Sequence, residues 1–298
     1  MNWDDWAETW PNAAHSRFVD SRPYRWHVQV MGEGPVLLLL HGAGAATHSW
    51  RGLAPLLARH YRLVMPDLPG HGFTRHRAGR STLDAMAADV TTLLDTLGEV
   101  PAAYVGHSAG ATIALRLALD APAPRPVVSI NGAFAAFDGF AGWLFPVMAK
   151  ALALNPFTVP AFTAFASRAR TERMLARTGS RIDAAGLDAY HALIGDRDHV
   201  AGTLAKMANW RLDRLSREAG RLQAPVLLMT GGRDGTVPPR VSDAFAERLH
   251  DPRHVRMPDL GHLMHEEAPD RVAAEVDAFF AAAGFEPAPA RPESDPGV

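Results

Sequence analysis

The sequence predicts an α/β protein, with a mostly parallel central sheet, helices on both faces and a helical insertion late in the chain. Three observations carry this. Short, unbroken apolar runs recur: "PVLLLLHG", "AAYVGHS", "PVVSINGAF" and "APVLLMTGG". Such runs suit strands buried on both faces, as in a parallel sheet. Stretches with helical spacing separate them, and strand–helix alternation favours parallel crossovers. The alternation stops at about 134, and resumes at about 223.

Taken in order, "YRWHVQVMG" alternates like a half-buried strand, and "PVLLLLHG" is a buried one. A small-residue loop, "AGAATHS", leads into a helix, "WRGLAPLLARH". "YRLVMPDLPGHG" is strand then turn. "STLDAMAADVTTLLDTLG" is a helix with Ser81 as its cap and Gly98 as its stop. "AAYVGHSAGATIALRLALD" is strand, tight turn, helix, and "PVVSINGAF" is another buried strand. After the interruption come strand "APVLLMTGG", helix "RVSDAFAERLH", strand "RHVRMPDLGH" and helix "DRVAAEVDAFFAAAG".

This organises the chain as a core with an N-terminal extension over 1–133, a helical cap over 134–222, a second core part over 223–284 and a disordered tail over 285–298. The tail is rich in proline and charge. The first part of the interruption has only Asp138 and Lys150 as charges up to "PAFTAF". Gly139, Gly142, Pro146, Pro156 and Pro160 break it, whereas a membrane-spanning helix needs about 20 uninterrupted apolar residues. No transmembrane segment is expected; peripheral membrane contact by this apolar stretch stays open.

Composition narrows the chemistry. The 298 residues carry a formal net charge of −2, so no nucleic-acid partner is expected. Cysteine is absent, which excludes disulfides, thiolate catalysis and cysteine metal sites. The acidic, tryptophan-rich N-terminus lacks the features of a secretory signal, and the absence of cysteine permits a reducing compartment. No cofactor is expected, because the glycine runs at 32–34 and 42–44 match no phosphate loop. His48, His71, His76 and His265 have no metal-ligand spacing, and no metal site is expected.

The chemistry lies in "GHSAG", residues 106–110. Gly-x-Ser-x-Gly between strand and helix is the nucleophile-elbow pattern. Gly106 and Gly110 keep side chains out of a tight turn, and Ser108 is held with its hydroxyl exposed. Serine needs a base. His262 follows the last strand and Asp234 the one before it, so Ser108, Asp234 and His262 come in the chain order this pattern requires. The backbone N–H groups of Ala43, after "LLLLHG", and of Ala109 are the candidate oxyanion donors. His41 and His107 flank the site as loop-orienting residues. These two, with Trp143, Phe145, Trp210 and Leu263, are the candidate pocket. Plainer roles stay open: Ser108 as a small buried residue, Asp234 as a helix cap.

From about Tyr24 to Ala282 the chain resembles the α/β-hydrolases, through "HGAG", "PDLPGHG", "GHSAG", "GGRDGTVPP" and "LGHLMHEEAP". Serine at 108 sets it apart from the haloalkane-dehalogenase and epoxide-hydrolase branches, which use aspartate there. More narrowly, "RWHVQVMGEGPVLLLLHGAGAATHSWRGLAPLLA", "NPFTVPAFTAFA", "MANWRLDRL" and "WPNAAHSRFV" resemble the magnesium-chelatase accessory proteins of bacteriochlorophyll biosynthesis. That resemblance implies an accessory role around magnesium insertion into a tetrapyrrole. Its expected partners are an apolar substrate or tetrapyrrole and the magnesium-chelatase subunits. A non-catalytic tetrapyrrole-binding role and a general carboxylesterase remain as alternatives.

Overall fold

Leu37, Leu38, Leu39 and Leu40 are all 0% exposed, but they belong to two different cores. Leu38 and Leu40 face one cluster; Leu37 and Leu39 face the other. Side chains alternate across a strand, so a run of four leucines needs cover on both faces. Each fully buried leucine contributes about 2 kcal/mol of hydrophobic stabilisation.

The computed structural model describes residues 1–134, 155 and 157–285. Among the described residues eight strands form one sheet: β1 (Ser16–Ser21), β2 (Tyr24–Met31), β3 (Val36–Leu40), β4 (Arg62–Pro66), β5 (Ala103–His107), β6 (Val127–Ile130), β7 (Val226–Gly231) and β8 (Arg253–Met257). Their spatial order is β1-β2-β4-β3-β5-β6-β7-β8. β1 and β2 pair antiparallel, as do β2 and β4, and every later pairing is parallel.

The helices are α1 (Leu53–Leu57), α2 (Leu83–Leu97), α3 (Ala109–Asp120), α4 (Thr158–Ala164), α5 (Arg168–Ala176), α6 (Ala184–Gly195), α7 (Arg197–Asn209), α8 (Asp213–Glu218), α9 (Pro239–Ala246), α10 (Met264–Glu267) and α11 (Pro269–Ala282). One face of the sheet is covered by α2, α3 and α9, through residues such as Val90, Ile113 and Phe245. The other is covered by α1 and α11, through Leu53, Leu57, Val276 and Phe280. Helices α4 to α8 lie in the chain between β6 and β7.

The predicted fold class is the observed one, with local corrections. The α2 cap is Thr82, whose side chain accepts from Ala85 N; Ser81 is buried instead. Gly98 ends α2 at φ 66°, as expected. β1 was not expected: it is an edge strand of mixed burial. β2 was expected to be half-buried, but Trp26, His27, Val28 and Gln29 are all 0% exposed, because the N-terminal segment covers its second face. The helix expected over "WRGLAPLLARH" is confined to α1. The 286–298 stretch of the expected tail lies outside the described residues.

The order of the strands places the site. From β3 the chain crosses to β4 on one side, then to β5 on the other. Open α/β sheets carry their crevice beyond the carboxyl ends of strands at such a reversal. The loops after β3 and β5 flank it, and these hold Ala43 and Ser108.

Candidate active site

Ser108 is the single residue between β5 and α3, at φ 51° and ψ −116°. Few residues other than glycine occupy positive φ, so the turn is strained. The flanking glycines are obligatory. A Cβ on Gly106 would lie 2.5 Å from the Ala111 backbone, and one on Gly110 would lie 1.9 Å from the Leu40 carbonyl oxygen. Ser108 N donates to Ile130 O at 2.9 Å, and Ser108 O accepts from Ala133 N at 3.2 Å. The backbone of the turn is therefore tied to β6 on its outer side.

His262 and Asp234 are bonded to each other. His262 Nδ1 donates to Asp234 Oδ2 at 2.7 Å, with both residues buried. Asp234 Oδ1 accepts from Thr236 N at 2.7 Å and Val237 N at 2.8 Å. The helix that follows, α9, takes no side-chain cap. Asp234 thus caps a turn with one oxygen and holds the imidazole with the other. With Nδ1 donating, a neutral His262 presents Nε2 as an acceptor. The His262 ring lies 4.7 Å, centroid to centroid, from that of His107, the residue before Ser108. Ser108 Oγ makes no hydrogen bond among the described residues. The nucleophile–base contact of such sites is commonly looser without substrate.

Two further residues hold the loops in register, and neither was singled out in the sequence. Asn131, at φ 46°, donates from Nδ2 to Gly261 O at 3.0 Å and His262 O at 2.8 Å, and accepts at Oδ1 from Gly231 N at 2.8 Å. One side chain at the end of β6 thus joins the strand leading to Asp234 and the loop carrying His262. Thr178 does the same through its backbone: its carbonyl accepts from Gly235 N and His262 N, each at 3.1 Å. The only foreshadowing of Asn131 was its place directly after a buried strand.

The β3 loop is fixed by histidines that orient rather than react. His41 donates from Nδ1 to Gly42 O at 2.8 Å, and its Nε2 accepts from Leu68 N at 2.9 Å. Burial lowers the His41 pKa to about 3, against the pull of Asp67, so the ring is neutral. His107 donates from Nε2 to His262 O at 2.9 Å, and burial likewise keeps it neutral. Gly42 has no room for a side chain: a Cβ there would lie 2.8 Å from His107 Nδ1 and 3.1 Å from Ser108 Cβ. This close approach brings the Ala43 loop against the elbow. Ala109 is the first residue of α3, where backbone N–H groups and the helix dipole favour negative charge.

Beneath this loop Asp67 accepts from His27 Nδ1 at 2.7 Å, Thr47 N at 2.7 Å and Phe73 N at 2.9 Å. Burial raises its pKa, but His27, His41 and the Phe73 amide outweigh burial and hold it at about 2.

The other candidates separate. Leu263 is buried with Ala45, Leu175, Leu187 and Tyr190. Trp210 is half-buried and shares a cavity of about 530 Å³ with Phe134. Trp143 and Phe145 lie outside the described residues. His71 sits between the rings of His41 and His199, 5.3 Å from each. His48 and His265 are buried in aromatic contacts with Tyr190 and with Trp50 and His107; His76 is half-buried. Among the described residues no group of three or more His, Asp or Glu is placed to hold a metal ion.

A serine on a strained turn and an imidazole hydrogen-bonded to a buried carboxylate are residue types suited to acyl transfer.

The α/β hydrolase fold family matches residues 35–269. The chain is 48% identical to the "Magnesium-chelatase 30 kDa subunit" of Rhodobacter capsulatus, over 90% of this chain and 95% of that one. It is 28% identical to the "Pimeloyl-[acyl-carrier protein] methyl ester esterase" of Nitrosomonas europaea, over 85% of this chain and 98% of that one. Among solved structures, an α/β hydrolase fold protein from Burkholderia ambifaria superposes with a TM-score of 0.70 at 26% identity, over 88% of this chain and 99% of that one.

Proposed function

The chain belongs to the α/β hydrolase fold family, and on that premise we propose that it is a serine hydrolase with Ser108, His262 and Asp234 as its triad. The observation that supports this reading is the buried Asp234–His262 pair, whose imidazole lies 4.7 Å from the ring of His107, the residue before the elbow serine. His262 Nε2 takes the proton of Ser108 Oγ as Oγ adds to the carbonyl carbon of an ester-like substrate. The N–H groups of Ala43 and Ala109 receive the oxyanion, and Asp234 stabilises the imidazolium. The tetrahedral intermediate collapses, His262 returns the proton to the leaving oxygen, and an acyl-Ser108 remains. Water, activated by His262, then releases the acid and restores the serine.

The likeness to a magnesium-chelatase subunit supports a physiological setting in magnesium chelation and bacteriochlorophyll synthesis. In this reading the chain is an accessory factor in the cytoplasm. It acts on an ester-like intermediate or a tetrapyrrole, beside the chelatase subunits. No helix of the described residues is long and apolar enough to cross a membrane.

A second reading is favoured by the same relative's name and by the unbonded Ser108 Oγ: a tetrapyrrole-binding or chelatase-partner protein that does not use its triad. Complementing a deletion strain separates the two. Pigment restored by the native chain and not by Ser108→Ala supports catalysis. Pigment restored equally by both sinks the catalytic version and leaves the binding one. A deletion without pigment loss points to a general carboxylesterase.

A further inference from the structure

Lys206 is 1% exposed, and its Nζ has no hydrogen-bond partner among the described residues. An ammonium taken out of water without a counter-ion is costly, and buried charges are normally paired. Here burial alone pulls the pKa down to about 7, with no carboxylate contributing. Among the described residues Nζ lies over the face of Trp210, 5.0 Å from the ring centroid.

The position of Lys206 follows from the helix that carries it. His199, Gly202, Thr203 and Lys206 recur at the spacing of one face of α7. That face lies against the loops beside the elbow. His199 Nε2 bonds Gly44 O at 3.2 Å, a Cβ on Gly44 would lie 3.9 Å from Thr203 Cγ2, and a Cβ on Gly70 would lie 2.8 Å from Gly202 Cα. Lys206 is the next turn along, close enough for its charge to act on His41 and His71. Trp210 also lines a cavity of about 530 Å³ with Phe134, Arg211 and Arg217. Phe134 follows Ala133, whose N–H is bonded to the Ser108 carbonyl.

We propose that Lys206 is the counter-ion for a carboxylate on the ligand, held in the place now taken by the indole of Trp210. A single ammonium matches a monoanion, and the Phe134 wall of the adjoining cavity suits a flat or apolar body attached to it. The occupant is thus an amphiphilic carboxylic acid derivative. Where Ser108 is the nucleophile, and the inference rests on that reading only for this step, the substrate is an ester or thioester bearing a second, free carboxylate.

Titration of the full chain with phenylacetate and with neutral phenylacetamide, followed by tryptophan fluorescence, tests this. The acid is expected to bind at least about tenfold more tightly than the amide. Lys206→Met is expected to abolish that difference while leaving amide binding unchanged. Lys206→Gln serves as a second variant, and a thermal melt of each checks folding. Equal binding of acid and amide, binding of neither, or acid binding unaltered in both folded variants would overturn the proposal. The readout is binding, so Ser108→Ala is expected to titrate like the native chain. Discrimination by a protein that hydrolyses no ester keeps the Lys206 assignment while the hydrolase reading fails.

Discussion

His262 Nδ1 and Asp234 Oδ2 lie 2.7 Å apart, and the same carboxylate is pinned on its other oxygen by the amides of Thr236 and Val237. The carboxylate cannot swing away, so the tautomer of His262 is set before substrate arrives. Asp234→Asn keeps the shape but offers an N–H where an acceptor is needed. It is expected to lower kcat by on the order of 10³–10⁴ with little loss of Tm. Ester turnover and a thermal melt on the same preparation check this.

Ser108 pays for its place with a positive φ. Glycine adopts that conformation freely. Ser108→Gly is expected to abolish turnover and to raise stability by about 1 kcal/mol. Urea unfolding of the two proteins measures it; a less stable glycine variant would contradict the strain.

Asn131 touches no reacting atom but holds the His262 carbonyl and the end of β7 together. Asn131→Ala is expected to cost about 10²-fold in kcat, because small misplacement of a catalytic group is that expensive. It also leaves Gly231 N without its partner, at a cost of about 1–3 kcal/mol. Activity measured well below the melting temperature separates the two effects.

Asp67 has a folded pKa of about 2, below its ordinary value of 3.8. A depressed carboxylate stabilises the fold above its unfolded pKa, and that contribution is lost as pH falls from about 4 through about 2. Asp67→Asn is expected to cost about 2–4 kcal/mol at neutral pH and progressively less toward pH 2. Denaturant melts across that range show whether the difference closes.

Lys206 gives the opposite trend. Its folded pKa is about 7 against 10.5 when unfolded. The cost of burying its charge is full below about pH 7 and vanishes as pH rises past about 10.5. Lys206→Met is expected to raise Tm by on the order of 5 °C at pH 6.5, and the gain should shrink toward pH 10.

The sheet was legible because its strands are apolar on both faces, and the leucines of β3 leave no other reading. The tight turn at Ser108 and its flanking glycines were legible because glycine spacing reflects a steric need, seen in the 1.9 Å approach of a Gly110 Cβ to Leu40 O. β1 was missed because an edge strand needs no clear alternation. Asn131 and Thr178 were missed because their work depends on loops far apart in sequence, and for Thr178 on a backbone carbonyl any residue supplies. Lys206 was missed because a lysine in a helix normally reads as solvated surface; only its burial sets it apart.

The most direct measurement is labelling with a fluorophosphonate probe, followed by peptide mass spectrometry of the native chain, Ser108→Ala and Asp234→Asn. The account predicts a single adduct on Ser108, none in Ser108→Ala, and much slower labelling in Asp234→Asn. A folded native protein that takes no label, or takes it elsewhere, would contradict a working triad at this site.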